Sequence, residues 1–205
     1  MTGRMKLSKA SRLLLFGLVL VVIDQVIKVL VISNMQLGQT INVIGDWFKL
    51  HFVLNKGFAF GMAIGGIWGK LVLSLFRIVL FGFLCWWINR LSKRSDVPLG
   101  VLIGLTLISA GAVGNIIDCY FYGLIWPQTI TPGAPFAFMF GQVVDMFYFP
   151  LFDYTLPWSD RVHTFFGAVF NFADSCVTCG ALYLLLFQYK FFSTDSEKKE
   201  TPSGN

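Results

Sequence analysis

Four long apolar runs dominate the chain, at about residues 13–33, 67–89, 98–118 and 165–189. Each reaches the roughly 20 residues that a helix needs to cross a bilayer, so four transmembrane helices are expected. Between the first two runs the period changes. Over 47–55, Phe48, Leu50, Phe52 and Leu54 alternate with Trp47, Lys49, His51, Val53 and Asn55. Period-two alternation specifies a strand with one apolar face. Gly57, Gly61, Gly65 and Gly66 follow and mark turns or close backbone approach. The segment 119–164 mixes Pro127, Pro132, Pro135, Pro150 and Pro157 with many aromatics, and reads as loops hugging the membrane interface. The expected fold is a mainly α-helical membrane protein with four spans, a small outer-leaflet β-sheet and interfacial loops. Residues 1–190 read as one four-span domain, and the polar stretch 191–205 as a disordered tail.

Composition agrees with this pattern. Of the 205 residues 56% are hydrophobic and 13% charged, about half the charge of a soluble domain. The net charge of +5 does not gather into a nucleic-acid-binding face; it follows topology instead. Arg4, Lys6, Lys9 and Arg12 precede the first run, Arg90, Lys93 and Arg94 lie between the second and third, and Lys190, Lys198 and Lys199 follow the fourth. These ten lie on one side, against Lys49, Lys56 and Arg161 on the other, while Lys28, Lys70 and Arg77 fall in or at the edges of spans. By the positive-inside rule both termini are cytoplasmic and the segments 34–66 and 119–164 face outward. The basic lead-in resembles a secretory signal, but the run continues through Asp24 and Lys28 to Ile32 without a small-x-small cleavage site. A retained anchor is expected. Cys176-x-x-Cys179 has no second Cys/His pair, so neither a metal nor a redox site is expected.

Helical rise then places the polar residues inside the apolar runs. At about 1.5 Å per residue, Asp174 lies sixteen residues above Lys190, near the outer edge of a hydrocarbon core about 30 Å thick. Asp118, twenty residues past Pro98, reaches the same level, and Asp145 lies in the outer loop within QVVDMF. Asp24 and Lys28, four apart, share a face of the first helix and can neutralise each other. Asn171, Asp174, Ser175 and Thr178 form one polar stripe on the last helix. Gly111, Gly114, Asn115 and Asp118 form another on the third, its glycines permitting close helix contact. An inert hydrogen-bonded seam is one reading of these stripes. An aspartate on each, with no intramembrane arginine beside it, argues for more, because such a carboxylate is costly in lipid.

The available chemistry is narrow. No HExxH motif is present, His51 and His163 lack ligand spacing, and no GxSxG elbow appears. Aspartates remain. Two carboxylates held close share one proton, so that one activates water while the other donates to a carbonyl. Chemistry alone does not choose among Asp118, Asp145, Asp153, Asp160 and Asp174. A proton-coupled carrier using the same aspartates is the second reading, and a scaffold protein without catalysis is the third. The carrier is disfavoured by four short helices without an inverted repeat and by carboxylates clustered at one face.

DQVIK (24–28), NKGFAFG (55–61), GAVGNIIDC (111–119), VVDMFYF (143–149) and FNFADS (170–175) occur in the order and topology of the lipoprotein signal peptidases. The chain resembles that family over roughly 13–190. The resemblance implies an aspartic endopeptidase of the bacterial inner membrane, multi-pass with an outward-facing site. Such an enzyme removes signal peptides from diacylglyceryl-modified prolipoproteins, just before the lipidated cysteine. It implies a catalytic pair, Asp145 and Asp174, with no metal or cofactor. It also implies supporting roles for Asn55, Asn115, Asn171 and Asp118, for Gly57, Ala59, Gly111 and Ala173, and for Asp24 with Lys28. Partners would be lipid-modified prolipoproteins and membrane lipids, with a monomer sufficing. The chain departs from the family pattern at Cys119, where G-N-x-x-D-R usually places arginine, at Ala112 and at Phe58.

Overall fold

The computed structural model describes residues 7–55, 66–156, 158 and 161–193. Gly57, Ala59, Asp160 and the tail from residue 194 lie outside the described residues. Residues 191–193, counted with the tail on sequence, are helical, and Phe191 and Phe192 pack against an apolar core.

The first apolar run forms α1 (Lys9–Asn34), opened by Ser8, whose hydroxyl accepts from the Ser11 amide as an N-cap. A hairpin of β1 (Thr40–Ile44) and β2 (Phe48–Asn55) follows. The second and third runs form α2 (Gly66–Ser92) and α3 (Leu99–Ile117). Leu14, Val79 and many other large apolar side chains on α1 and α2 point outward, a surface that suits lipid rather than water. Among the described residues three helices are long and apolar enough to cross a membrane, the third running on to Ile125. That extension comprises a π-helical turn, Asp118–Tyr122, and a short α4 (Gly123–Ile125).

The segment 119–164 is therefore not a set of loops. Beyond the helical extension it contributes β3 (Val143–Tyr148) and a hairpin of β4 (Phe152–Thr155) with β5 (Val162–Phe165). Strand β3 joins the first hairpin in an antiparallel sheet ordered β1-β2-β3. The alternation foreseen for 47–55 holds: Leu50, Phe52 and Leu54 pack with Val144 and Met146 into a core over Val31, Ile32 and Tyr122. Side chains alternate across a strand, so Asn55 and Asp145 lie on the opposite face from that core, one diagonal apart in the register.

The fourth run departs most from its pattern. Helix α5 (Phe172–Phe187) has 16 residues, about 24 Å at the usual rise, although the apolar run begins at 165. Asn171 sets the boundary. Its side chain accepts from the Asp174 amide while the Asp174 carboxylate accepts from the Asn171 amide, a reciprocal capping box that fixes the helix start.

Helix α3 is the centre of the bundle, touching α1, α2 and α5. It meets α5 through small residues: a Cβ on Gly111 would collide with the Ala173 carbonyl, and one on Gly180 with the Gly104 carbonyl. Without a hydrophobic force between helices in lipid, such close backbone contact and buried polar bonds hold the bundle. A second apolar core, with Leu13, Leu84, Leu91, Val101, Leu102 and Leu184, closes the end remote from the sheet.

Candidate active site

At the sheet end of the bundle, α1, α3, α5 and β3 each deliver polar side chains into one buried cluster. Asp145 is 1% exposed. Its two carboxylate oxygens accept from Asn55 Nδ2 at 2.9 Å and from Asn171 Nδ2 at 2.6 Å. Asp174, in the first turn of α5, accepts from Asn115 Nδ2 at 2.9 Å and from the Asn171 amide at 3.3 Å. Asn171 thus touches both aspartates, one through its side-chain amide and the other through its backbone. Proximity is enforced by the backbone: Phe147 and Phe170 exchange hydrogen bonds of 2.7 and 3.0 Å, pinning β3 beside the start of α5.

Burial, and then the charge of neighbouring Asp174, push the Asp145 carboxyl up to about 7, against the pull of the Asn55 and Asn171 hydrogen bonds. Two adjacent carboxylates in a partly dry site cannot both ionise easily, which is the physical reason the Asp145 carboxyl is raised.

Behind the pair stands a charged hub. Lys28, wholly buried, places Nζ 3.0 Å from Asp24, 2.7 Å from Asp118 and 2.9 Å from Asn115 Oδ1. All three ammonium hydrogens thus have an acceptor. Asn115 then passes the constraint to Asp174 and to Asn171, whose Nδ2 lies 3.1 Å from Asn115 Oδ1. The Asp24–Lys28 pair anticipated on sequence is therefore part of a larger network, linked through Asn115 to Asp174. Asp24 also accepts from the Ala173 amide at 2.9 Å, tying α1 to the first turn of α5. Asp118 accepts from the Val144 amide at 3.2 Å, tying the π-helical turn to the strand of Asp145.

The structure brings together Asn55, Asn115, Asp118, Asp145, Asn171, Asp174, Asp24 and Lys28, with Gly111 and Ala173 at the α3–α5 contact. Asp145 comes from a strand, not the loop expected. Asp153 lies apart and exposed in β4, accepting from the Thr164 hydroxyl. Sequence reasoning missed Gln25, which donates to Asp24, Asp118 and the Gly114 carbonyl while Tyr122 donates to it. It also missed Arg77, whose Nη1 lies 3.1 Å from Cys119 Sγ. A charge inside an apolar run was the available signal for Arg77.

Apolar helices long enough to cross a membrane, around an asparagine-braced aspartate pair, define a helical integral membrane protein with a candidate carboxylate site. Comparison narrows this class. Residues 16–190 match the model of the signal peptidase (SPase) II family, and the chain belongs to that family of peptidases. A lipoprotein signal peptidase of Porphyromonas gingivalis is 43% identical over 199 residues, covering 90% of this chain and 86% of the relative. Another from Amoebophilus asiaticus is 38% identical, covering 83% and 74%. Two solved structures described as bacterial membrane enzymes share the fold, with TM-scores of 0.60 and 0.56 at 21% and 22% identity. They cover 94% and 85% of this chain, and 94% and 90% of their own.

Proposed function

We propose that the protein removes signal peptides from diacylglyceryl-modified prolipoproteins, cutting just before the lipidated cysteine, with Asp145 and Asp174 as its catalytic pair. The observation that carries the assignment is Asn171 bonded to both carboxylates. With one proton on the pair, the ionised carboxylate removes a proton from water as it attacks the scissile carbonyl, and the other carboxyl donates to the carbonyl oxygen. Collapse of the tetrahedral intermediate breaks the C–N bond, and a proton passes from the pair to the leaving amine. Asn55, Asn115 and Asn171 hold the four carboxylate oxygens in place, so little reorganisation is needed during reaction.

The chain topology suits this role. Ten of the thirteen Lys and Arg outside the spans lie on one side, which supports cytoplasmic termini and an outward-facing site. Helix α5 is shorter than a full span because its first turn is at the site. The lipid tails of a substrate would then stay in the bilayer while the cleaved bond lies at the interface. One chain holds both aspartates, so a monomer suffices, with membrane lipids as its surroundings.

The test is a precursor-to-mature gel shift with a lipid-modified prolipoprotein. Asp145→Asn and Asp174→Asn each abolish the shift, whereas Asp153→Asn leaves it largely intact. Normal processing by the Asp174→Asn variant would sink the mechanism.

A further inference from the structure

Helices α1 and α2 both pack on α3 and leave between them a groove of about 590 Å³ that the proposed reaction does not use. Thr106, Ala110, Val113 and Ile117 form its floor, spaced four and three apart on one face of α3. Asn115 falls between Val113 and Ile117 and so turns the opposite way, toward Asp174. The groove therefore lies on the far side of α3 from the aspartates. Its walls run from Ala10 to Val21 on α1 and from Phe81 to Ser92 on α2, each about 16 Å long at the usual helical rise. That is half of a hydrocarbon core about 30 Å thick.

Polarity along the groove is uneven. Ser11, Asn89 and Ser92 line the end remote from the sheet. Above them the walls are built from Leu14, Leu18, Phe81 and Cys85; Thr106 donates to the Leu102 carbonyl of its own helix, and Ser109 Oγ is buried. Each of the three polar residues has an exposed cation beside it in sequence: Arg12, Arg90 and Lys93. Lys9, Arg94 and Lys190 lie at the same end, where Asp96, paired with Arg94, is the one acid among the described residues. Water does not fill so apolar a groove, and in a bilayer hydrocarbon does. A spanning helix from a second copy needs walls about 30 Å long, nearly twice those present. A phospholipid fits both length and charge: its chains occupy one leaflet, and its phosphate meets the basic, hydrogen-bonding end. We propose that the groove between α1, α2 and α3 binds one anionic phospholipid, which fastens α1 to α2 in the leaflet remote from the sheet. Because α1 carries Asp24 and Lys28, the bound lipid also steadies the network behind the aspartates.

The experiment uses the full chain, purified in a nonionic detergent and stripped of lipid. Phosphatidylglycerol, phosphatidylcholine with the same chains, and glycerol phosphate are added separately, and native mass spectrometry and thermal unfolding are the readouts. Phosphatidylglycerol gives one adduct per chain, about tenfold tighter than phosphatidylcholine, and raises the melting temperature as a ligand of the folded state does. Glycerol phosphate, which has the charge without the chains, does neither. Cys85→Phe, which puts a ring into the groove from its exposed wall, removes both the adduct and the rise. Arg12→Gln with Lys93→Gln reduces the preference for phosphatidylglycerol to about twofold and leaves phosphatidylcholine binding as it was. Equal binding of the two lipids by the intact protein overturns the proposal, as does a melting temperature raised by glycerol phosphate alone. Two chains per complex that Cys85→Phe separates make a second copy the occupant and overturn it. Displacement of phosphatidylglycerol by a synthetic signal-peptide helix makes the substrate the occupant, with the same result. Where Cys85→Phe does not accumulate, the two lipids on the intact protein and on the charge variant decide: a preference lost with the cations supports the proposal, and one unmoved overturns it.

Discussion

Asn171 does three things with one side chain and one amide: it caps α5, braces Asp145 and fixes the backbone beside Asp174. A hydrogen bond to a charged group contributes about 1.5–3 kcal/mol, so Asn171→Ala should slow cleavage by roughly tenfold to a hundredfold. Because that bond draws the Asp145 carboxyl down, its loss should also move the pH profile upward. The Asp145 carboxyl itself dictates a sign. In the folded chain it holds its proton up to about 7, against the ordinary aspartate value of 3.8, so the folded state binds more protons between those values. Its contribution to stability is therefore fully present below about pH 4 and is lost as pH rises through about 7. Thermal unfolding in detergent should show Asp145→Asn gaining stability over the native protein as pH rises across that window. A gap that is constant with pH would refute the assignment.

At the scale of elements, legibility varied with how local the cause was. The strand at Phe48–Asn55 could be read because its alternation matches the pleat. The start of α5 was misplaced because a capping box sets where a helix begins to within one residue, whereas an apolar run carries no such edge. Strand β3 was read as loop, since VVDMFY is buried at most positions and shows no clean alternation. The α3–α5 crossing was foreshadowed by Gly111, and its closeness gives a test. Gly111→Val pushes a side chain into the Ala173 carbonyl and Val177 and should destabilise the bundle by about 1–3 kcal/mol, read as a lower melting temperature. Because Ala173 immediately precedes Asp174, cleavage should fall more than stability alone predicts.

For the whole molecule, Lys28 is the residue on which separate parts depend. It joins α1 to Asp118 at the end of α3 and, through Asn115, to α5. Lys28→Met fills similar volume but leaves Asp24 and Asp118 buried without their cation. Breaking one partner out of a buried ion network costs about 3–5 kcal/mol, so the variant should lose much of its folded yield in membranes and nearly all cleavage. Retention of native melting behaviour would show that the hub does not hold the helices together.

Composition and periodicity by themselves determined that the chain is a membrane protein and which aspartates were candidates, while charge counting gave an expectation for its orientation. These follow from local physics: hydrocarbon selects long apolar runs, and a carboxylate within them stands out. The tertiary structure decided which candidates meet. Asp145 and Asp174 are separated by twenty-nine positions and come together because Phe147 and Phe170 exchange backbone hydrogen bonds and Asn171 bridges the result. It also decided that Arg77 lies against Cys119 and that Lys28 serves three acceptors. Contacts between distant segments depend on register and helix rotation, and no spacing along a single chain records those.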